Sequence, residues 1–304
     1  MIGIGNNQLM KNNIVSIDGK YQTILSFGGG YIYRSTDYGA SFSLVTSIGN
    51  NKKVSISSTG QYQLMSASYL YLSNNYGASY TELTGIGSKN WNGVAVSNTG
   101  QYQTSIVSGG YIYISSDYGV TWTQKDSSRN WLGVSMSSSG QYQTSVDYGG
   151  YIYTSSNYGV TWAQKNSSRY WMEVSLSSTG QYQTAIAEND YIYTSSDYGA
   201  NWTARRADLE RYWIDVSISN TGQYQTAVSQ EAGLWKSLNY GVNFSKITSF
   251  DDWQTVAVSG TGQYQTAVRP YEYPYRSINY GVTWTQLTSG DQGSVNDISI
   301  NKSE

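Results

Sequence analysis

The hydrophobic residues of this chain fall in short clusters, each broken within a few positions by Gly, Asn or Ser. No 3.6-residue period holds over three turns, so no amphipathic helix is predicted. The clusters are β-branched and aromatic, the makeup of strands. Four kinds recur in a fixed order. The first runs from Val54 to Ser57 or from Val134 to Ser137. A Thr-Gly turn leads to the second, as from Gln263 to Val268. The third reads Tyr-Ile-Tyr-Thr from Tyr151 to Thr154, and a Ser-x-Asp-x-Gly turn leads to the fourth, Thr121 to Gln124. Tyr-Ile-Tyr puts bulk on both sides of its strand, which predicts a sheet covered on both faces.

This four-strand pattern is itself periodic. Gly-Gln-Tyr-Gln begins at Gly60, Gly100, Gly140, Gly180, Gly222 and Gly262, and a variant, Gly-Lys-Tyr-Gln, at Gly19. A second motif runs in phase with it, from Ser35, Ser73, Ser115, Ser155, Ser195, Ser237 and Ser277. Four strands per repeat of roughly 40 residues is the sequence signature of a β-propeller. An open sheet of so many strands is excluded, because open sheets rarely pass about ten. The expectation is one all-β domain over 1–304, a seven-bladed β-propeller with four antiparallel strands per blade. The repeats cover about 14–44, 54–83, 94–124, 134–164, 174–204, 216–246 and 256–286. First-strand patterns occur at both ends, at 14–17 and 295–300, so one terminus supplies the inner strand of the closing blade. The C-terminal copy is expected to help clasp the ring. Pro274 replaces Ile in the last repeat's third strand, which predicts an irregular strand there.

The second motif, Ser-x-Asp-x-Gly-x-Thr-Trp, resembles the Asp-box (BNR repeat) of sialidase-like propellers. Its third position is Asp37, Asn75, Asp117, Asn157, Asp197, Asn239 and Asn279. Asp or Asn can close an Asx-turn there, and Gly takes positive φ. Asn carries no charge, so the position reads as structural. Families with this box include sialidases, xyloglucan hydrolases, sortilin-like receptors and photosystem assembly factors, so the resemblance implies the fold more than an activity. Sialidase likeness would imply an Arg triad, a Tyr–Glu pair and an acid Asp. The Arg-Ile-Pro signature is missing, and Arg269-Pro270 is its nearest match. The near-identical repeats also resemble propellers encoded by large DNA viruses.

Composition narrows the chemistry. The chain has no His and no Cys, which excludes His triads, thiolate nucleophiles and His or Cys metal sites. No metal and no cofactor is expected. Charged residues are 12% and the net charge is −2, which gives no general pull toward nucleic acid or anionic membrane. No apolar run approaches a membrane span of ~18 residues, and no signal peptide is read at Met1. A cytoplasmic or virion-associated location is the expectation. The 31 Tyr and 10 Trp must build much of the core.

For a glycoside hydrolase, which needs two carboxylates, Glu173 and Asp215 are the best pair, at equivalent points of successive repeats. Their structural reading is pairing with nearby Arg169 or Arg211, or capping of solvent-facing loop amides. The turns between strands one and two and between three and four barely vary. The other two loop families vary and share one face, the default interaction surface. There Arg129, Arg169 and Arg211 each precede a Trp by two positions, at Trp131, Trp171 and Trp213. Beside them run Arg269, Tyr271 and Tyr273. These nine residues are the candidate ligand-binding set. Acids on the same face count against nucleic acid. The function expected is a non-enzymatic binding or structural scaffold with a protein partner, and a glycan-binding lectin or glycoside hydrolase is the alternative. Replacing Arg169 and Arg211 is expected to weaken binding without loss of stability. Changes at Tyr118 or Tyr158, in the turns of the opposite face, are expected to leave binding alone.

Overall fold

The computed structural model describes residues 10–16, 20–26, 30–38, 40–50, 52–205, 210–248, 251–269, 272 and 274–287. Among these residues there is no α-helix, and one 3-10 turn spans Thr84–Ile86. All else that is regular is antiparallel β. Each repeat folds as a four-stranded meander in chain order. The first unit is Met10–Val15, Gln22–Ser26, Tyr31–Ser35 and Ser43–Ser47. The second is Lys53–Ile56, Gln63–Ser66, Leu70–Ser73 and Thr81–Glu82.

The next three units are joined in one sheet, because strands expected to be separate run on into each other. Gln103–Ser115 and Gln143–Ser155 each hold the second and third strands of a unit. Thr123–Met136 and Ala163–Leu176 each hold the fourth strand of one unit and the first of the next. Register shifts at Gly110 and Gly150 bend the long strands where the sequence predicts loops. Trp91–Val96 opens this group, and Gln183–Ala187, Ile192–Ser195 and Thr203–Arg205 close it. The sixth unit starts at Trp213–Ile218 and the last at Thr255–Val258.

Met10–Val15 pairs with Gln22–Ser26, so the N-terminal segment supplies the first unit's inner strand, beginning four residues before the expected Ile14. The closing strand expected at 295–300 lies outside the described residues. The last unit's third strand, Tyr275–Ser277, starts just after Pro274, where the missing N–H breaks no ladder bond.

Successive units are locked by three sets of contacts. First, the Tyr of Gly-Gln-Tyr-Gln stacks on the box Tyr of the next unit. Six such pairs, Tyr21–Tyr76, Tyr62–Tyr118, Tyr102–Tyr158, Tyr142–Tyr198, Tyr182–Tyr240 and Tyr224–Tyr280, have ring centroids 4.3–4.9 Å apart. The box Tyr sits at φ near +60°, a conformation that costs L-residues about 1 kcal/mol. The stack offsets that cost. The same ring covers the next unit's motif glycine: a Cβ on Gly100 (φ +83°) would stand 2.4 Å from the Tyr62 ring. Second, backbone N–H groups of the first turns bond the following turn's carbonyl. Ser58 donates to Asn98, Asn98 to Ser138, Ser138 to Ser178, Ser178 to Asn220 and Asn220 to Gly260, all at 2.8–2.9 Å. Third, a buried Thr hydroxyl donates to the next unit's Gln Oε1: Thr23 to Gln63, Thr104 to Gln143, Thr144 to Gln183, Thr184 to Gln225 and Thr226 to Gln265, at 2.6–2.8 Å. The second unit has Leu64 in place of that Thr, and the buried Gln103 Oε1 is left without a partner.

The apolar core is likewise shared between units. Val146 and Ile152 of the fourth unit pack with Trp171, Val174 and Tyr193 of the fifth. Inner strands of six units, second to last, line one central cavity of about 240 Å³.

Replacing Thr144 by Val keeps the volume and removes the hydroxyl, which orphans Gln183 Oε1 as Gln103 Oε1 is orphaned already. The expected loss is about 1–2 kcal/mol, read as a lower urea midpoint with unchanged m-value.

Candidate functional site

The two candidate acids lie on the inner strands and line the central cavity. Equivalent register positions there are Lys53, Gly93, Gly133, Glu173, Asp215 and Thr255, opposite Ser66, Ile106, Val146, Ile186, Val228 and Val268. Glu173 is not paired with Arg169, and both acids accept backbone N–H groups of their own strands. Glu173 Oε2 meets Lys53 Nζ of the second unit at 3.7 Å, a contact between units that are not neighbours, and Glu173 Oε1 accepts the Val174 N–H at 3.1 Å. Glu173 lies over Gly133, whose missing Cβ would stand 2.5 Å from its Oε1. Asp215 Oδ2 accepts from Thr255 Oγ1 (2.7 Å) and the Val256 N–H (2.9 Å), and Oδ1 from the Val216 N–H. Both acids are thus tied into the scaffold. Among the described residues no three Asp or Glu gather where a metal ion could sit.

The box residues brace their own turns. Asp117 accepts from Ser115 Oγ (2.8 Å), the Thr121 N–H (2.9 Å) and Thr121 Oγ1 (2.5 Å). Burial raises its pKa, and these bonds more than reverse that, leaving the carboxyl below its usual range. At Asp37, bonds from the Ser41 hydroxyl and N–H, with Ser35, bring the pKa down to about 2. Where the box holds Asn the hydroxyl reverses its role: Asn157 Nδ2 donates to Thr161 Oγ1 at 2.9 Å, while Oδ1 still accepts the Thr161 N–H. Asn75 and Asn279 do the same toward Ser79 and Thr283. Asn239 Oδ1 accepts the Asn243 N–H, and Asp197 takes both Asn201 amides.

The variable loops meet on one face. Gly110 pairs with Arg129, Gly150 with Arg169 and Asp190 with Arg211. The basic residues do not stand free there. Each lies over an edge-to-face aromatic pair whose second ring the sequence reading missed: Trp131–Tyr153, Trp171–Tyr193 and Trp213–Trp235. The guanidinium carbons lie 4.3, 4.7 and 4.5 Å from Tyr153, Tyr193 and Trp235. Lys89 covers Trp91 and Tyr113 in the same way. The missed partners sit in the third strand, two positions before the box Ser, and only that in-phase recurrence could have flagged them. Trp131, Trp171 and Trp213 are fully buried, so they offer no surface to a ligand.

Acids complete these sets. Asp126 lies 3.6 Å from Arg129, Asp190 3.1 Å from Arg169, and Glu272 2.8 Å from Arg269. Arg211 is 8% exposed, which corrects its reading as a solvent-facing side chain. Tyr271 and Tyr273 lie outside the described residues. Tyr118 and Tyr158 lie in the seams between units. The loop face does expose Tyr170 (58%), which leans on Tyr148 at 5.1 Å. Tyr148 Oη donates to Glu188 Oε2, and that carboxylate lifts the phenol pKa to about 12. Nearby, burial pushes the Asp147 carboxyl up, against the Asn130 N–H and Arg129, which favour its charged form.

The comparisons agree with this architecture. The BNR-Asp box repeat model matches residues 192–204, within the fifth unit. No curated protein matches the chain. Among solved structures, YCF48 from Cyanidioschyzon merolae is 10% identical over 91% of this chain and 95% of its own, with TM-score 0.67. An ancestral GH74 enzyme is 16% identical with TM-score 0.67, covering 96% of this chain, which spans only 46% of that enzyme. The Swd1 β-propeller domain from Myceliophteria thermophila is 10% identical over 88% and 95%, with TM-score 0.66. The fold is all-β with β-propeller relatives, and the Asp-box motif is present.

Two outcomes follow from the loop face. Arg211→Ala should cost about 2 kcal/mol by removing a buried cation from two indole rings, whereas Lys125→Ala should stay within about 0.5 kcal/mol; chemical denaturation of both checks this. Asp147 has a raised folded pKa, so its ionisation weakens the fold as pH climbs from about 4 through that value. Asp147→Asn, which keeps an acceptor for Asn130, should therefore raise the urea midpoint at pH 7 and lose that gain at pH 3.

Proposed function

We propose that the chain closes as a seven-bladed ring and acts as a non-enzymatic scaffold that binds a protein partner through its variable-loop face. The observation that carries the reading is the state of the two cavity acids. A hydrolase needs one carboxyl to give a proton and another to act as nucleophile or base. Glu173 is held by Lys53 and a backbone amide, and Asp215 by Thr255 and two backbone amides. The carboxylate oxygens of both are engaged by groups of the scaffold, which suits braces rather than acids that must meet a substrate.

The loop face has the makeup of a protein interface. Tyr170 supplies an exposed aromatic anchor, and Arg129, Arg169 and Arg269 are each preorganised by their own rings and acids. One solved relative is YCF48 bound to D1 peptide, 13% identical over 91% of this chain and 93% of its own, with TM-score 0.63. Opposite charges alternate across the face, which fits a partner of mixed charge better than nucleic acid.

The test has two arms. Purified protein incubated with xyloglucan oligosaccharides should release no reducing ends, and Glu173→Gln should change nothing. A partner captured from the native source should bind at least tenfold more weakly to Tyr170→Ala/Arg169→Ala, and normally to Val120→Ser on the turn face. Hydrolysis that Glu173→Gln abolishes would replace this reading with the GH74-like one.

A further inference from the structure

A second concave site lies on the turn face, between the fifth and sixth units. It is a cleft of about 330 Å³, at the small end of ligand pockets. One wall is the stacked pair Tyr182–Tyr240, with rings 4.6 Å apart, continued by Val242. The other wall carries Arg205 and Asp197. These opposite charges line one cleft, yet no ion pair joins them. Each is fixed separately. Arg205 Nε donates to Thr194 Oγ1 at 2.9 Å, which sets the guanidinium fork and leaves both Nη groups for another partner. Asp197 Oδ1 accepts from Ser195 Oγ and the Asn201 N–H, and Oδ2 from Asn201 Nδ2 at 2.7 Å, so Oδ2 keeps acceptor capacity. These bonds also outweigh burial and hold the carboxyl below its usual range, ionised at neutral pH.

The repeat supplies an internal control. At the position of Arg205 the third and fourth units have Lys125 and Lys165, which lack a planar fork. At the position of Asp197 the fourth unit has neutral Asn157. At the position of Thr194 the third unit has Ile114, which has no hydroxyl to accept from a guanidinium. Only the fifth unit joins a short Thr, a guanidinium and a charged box residue.

We infer that this cleft binds a small α-amino acid as its zwitterion, with the carboxylate on Arg205, the ammonium on Asp197 and an apolar side chain against Tyr182, Tyr240 and Val242. A bidentate guanidinium–carboxylate contact and a charge-assisted ammonium–carboxylate bond are the strong polar pairings open to these groups. A molecule carrying both charges satisfies both ends at once and leaves the cleft neutral. The site is independent of the loop face, so its test does not depend on the partner-binding reading.

The probe is L-phenylalanine, with 3-phenylpropanoate and 2-phenylethylamine as its acid-only and amine-only counterparts, titrated by calorimetry and by saturation-transfer NMR. L-phenylalanine should bind with a Kd of about 1 mM or tighter, and each counterpart at least tenfold more weakly. Asp197→Asn should weaken L-phenylalanine tenfold or more with an unchanged melting temperature, because Asn stands in four other boxes. Arg205→Lys keeps the charge, loses the fork and should weaken binding similarly. No saturable binding up to about 10 mM overturns the inference, as does equal binding of the acid alone or binding that neither variant changes.

Discussion

Everything in this protein leans on the contact between one repeat and the next. A single four-stranded meander of this length cannot bury enough apolar surface to persist alone. What makes it stable is a flank that fits its neighbour, and that flank is written into the two motifs. The Gly of Gly-Gln-Tyr-Gln must lack a Cβ because the preceding Tyr ring occupies that space. The ring must stay because it holds the next box Tyr in a left-handed conformation that a tyrosine would otherwise leave. The Gln must stay because a Thr hydroxyl arrives from one side while its own amide bonds the motif's Gly carbonyl, as Gln143 Nε2 bonds Gly140 at 3.0 Å. Each of these motif residues answers to a residue of the neighbouring unit, and where one partner differs, as Leu64 does, the other is left unpaired, as Gln103 Oε1 is.

This explains why so much of the fold was legible in the sequence. Strand order and antiparallel meanders follow from the period. The motifs revealed themselves through recurrence, though the tyrosine stacks behind them did not: sequence spacing gives no hint that Tyr62 meets Tyr118 rather than Tyr76. The long continuous strands through Gly110 and Gly150 were missed because paired glycines signal a loop, whereas here they let two strands bend without breaking the ladder.

The candidate site was less legible. The Arg and Trp positions were found, but their relation was inverted. A Trp two residues after an Arg on a strand points to the same side, so the cation folds down over the indole and seals it from water. The sequence therefore marked residues that brace the face, while exposed Tyr170 was not singled out. The cavity acids were misassigned in another way. Local spacing favoured Arg169 and Arg211 as their partners, but register shifts between Trp171 and Glu173 and between Trp213 and Asp215 turn the acids toward the central cavity, and Glu173 reaches to Lys53, 120 positions earlier.

That last contact changes the mechanics of the assembly. An array held only by nearest-neighbour contacts can lose one unit at its end while the rest stays folded. Lys53 and Glu173 act like a spoke, since they tie the second unit to the fifth across the cavity that both line. Gly133 makes the clearance for it, so a feature of the fourth unit serves a bond between two others. A spoke turns local fraying into a shared event, because the second unit cannot swing outward without dragging on the fifth. It also resists splaying of the inner strands away from the cavity that both residues line, a deformation that contacts between neighbours alone would allow.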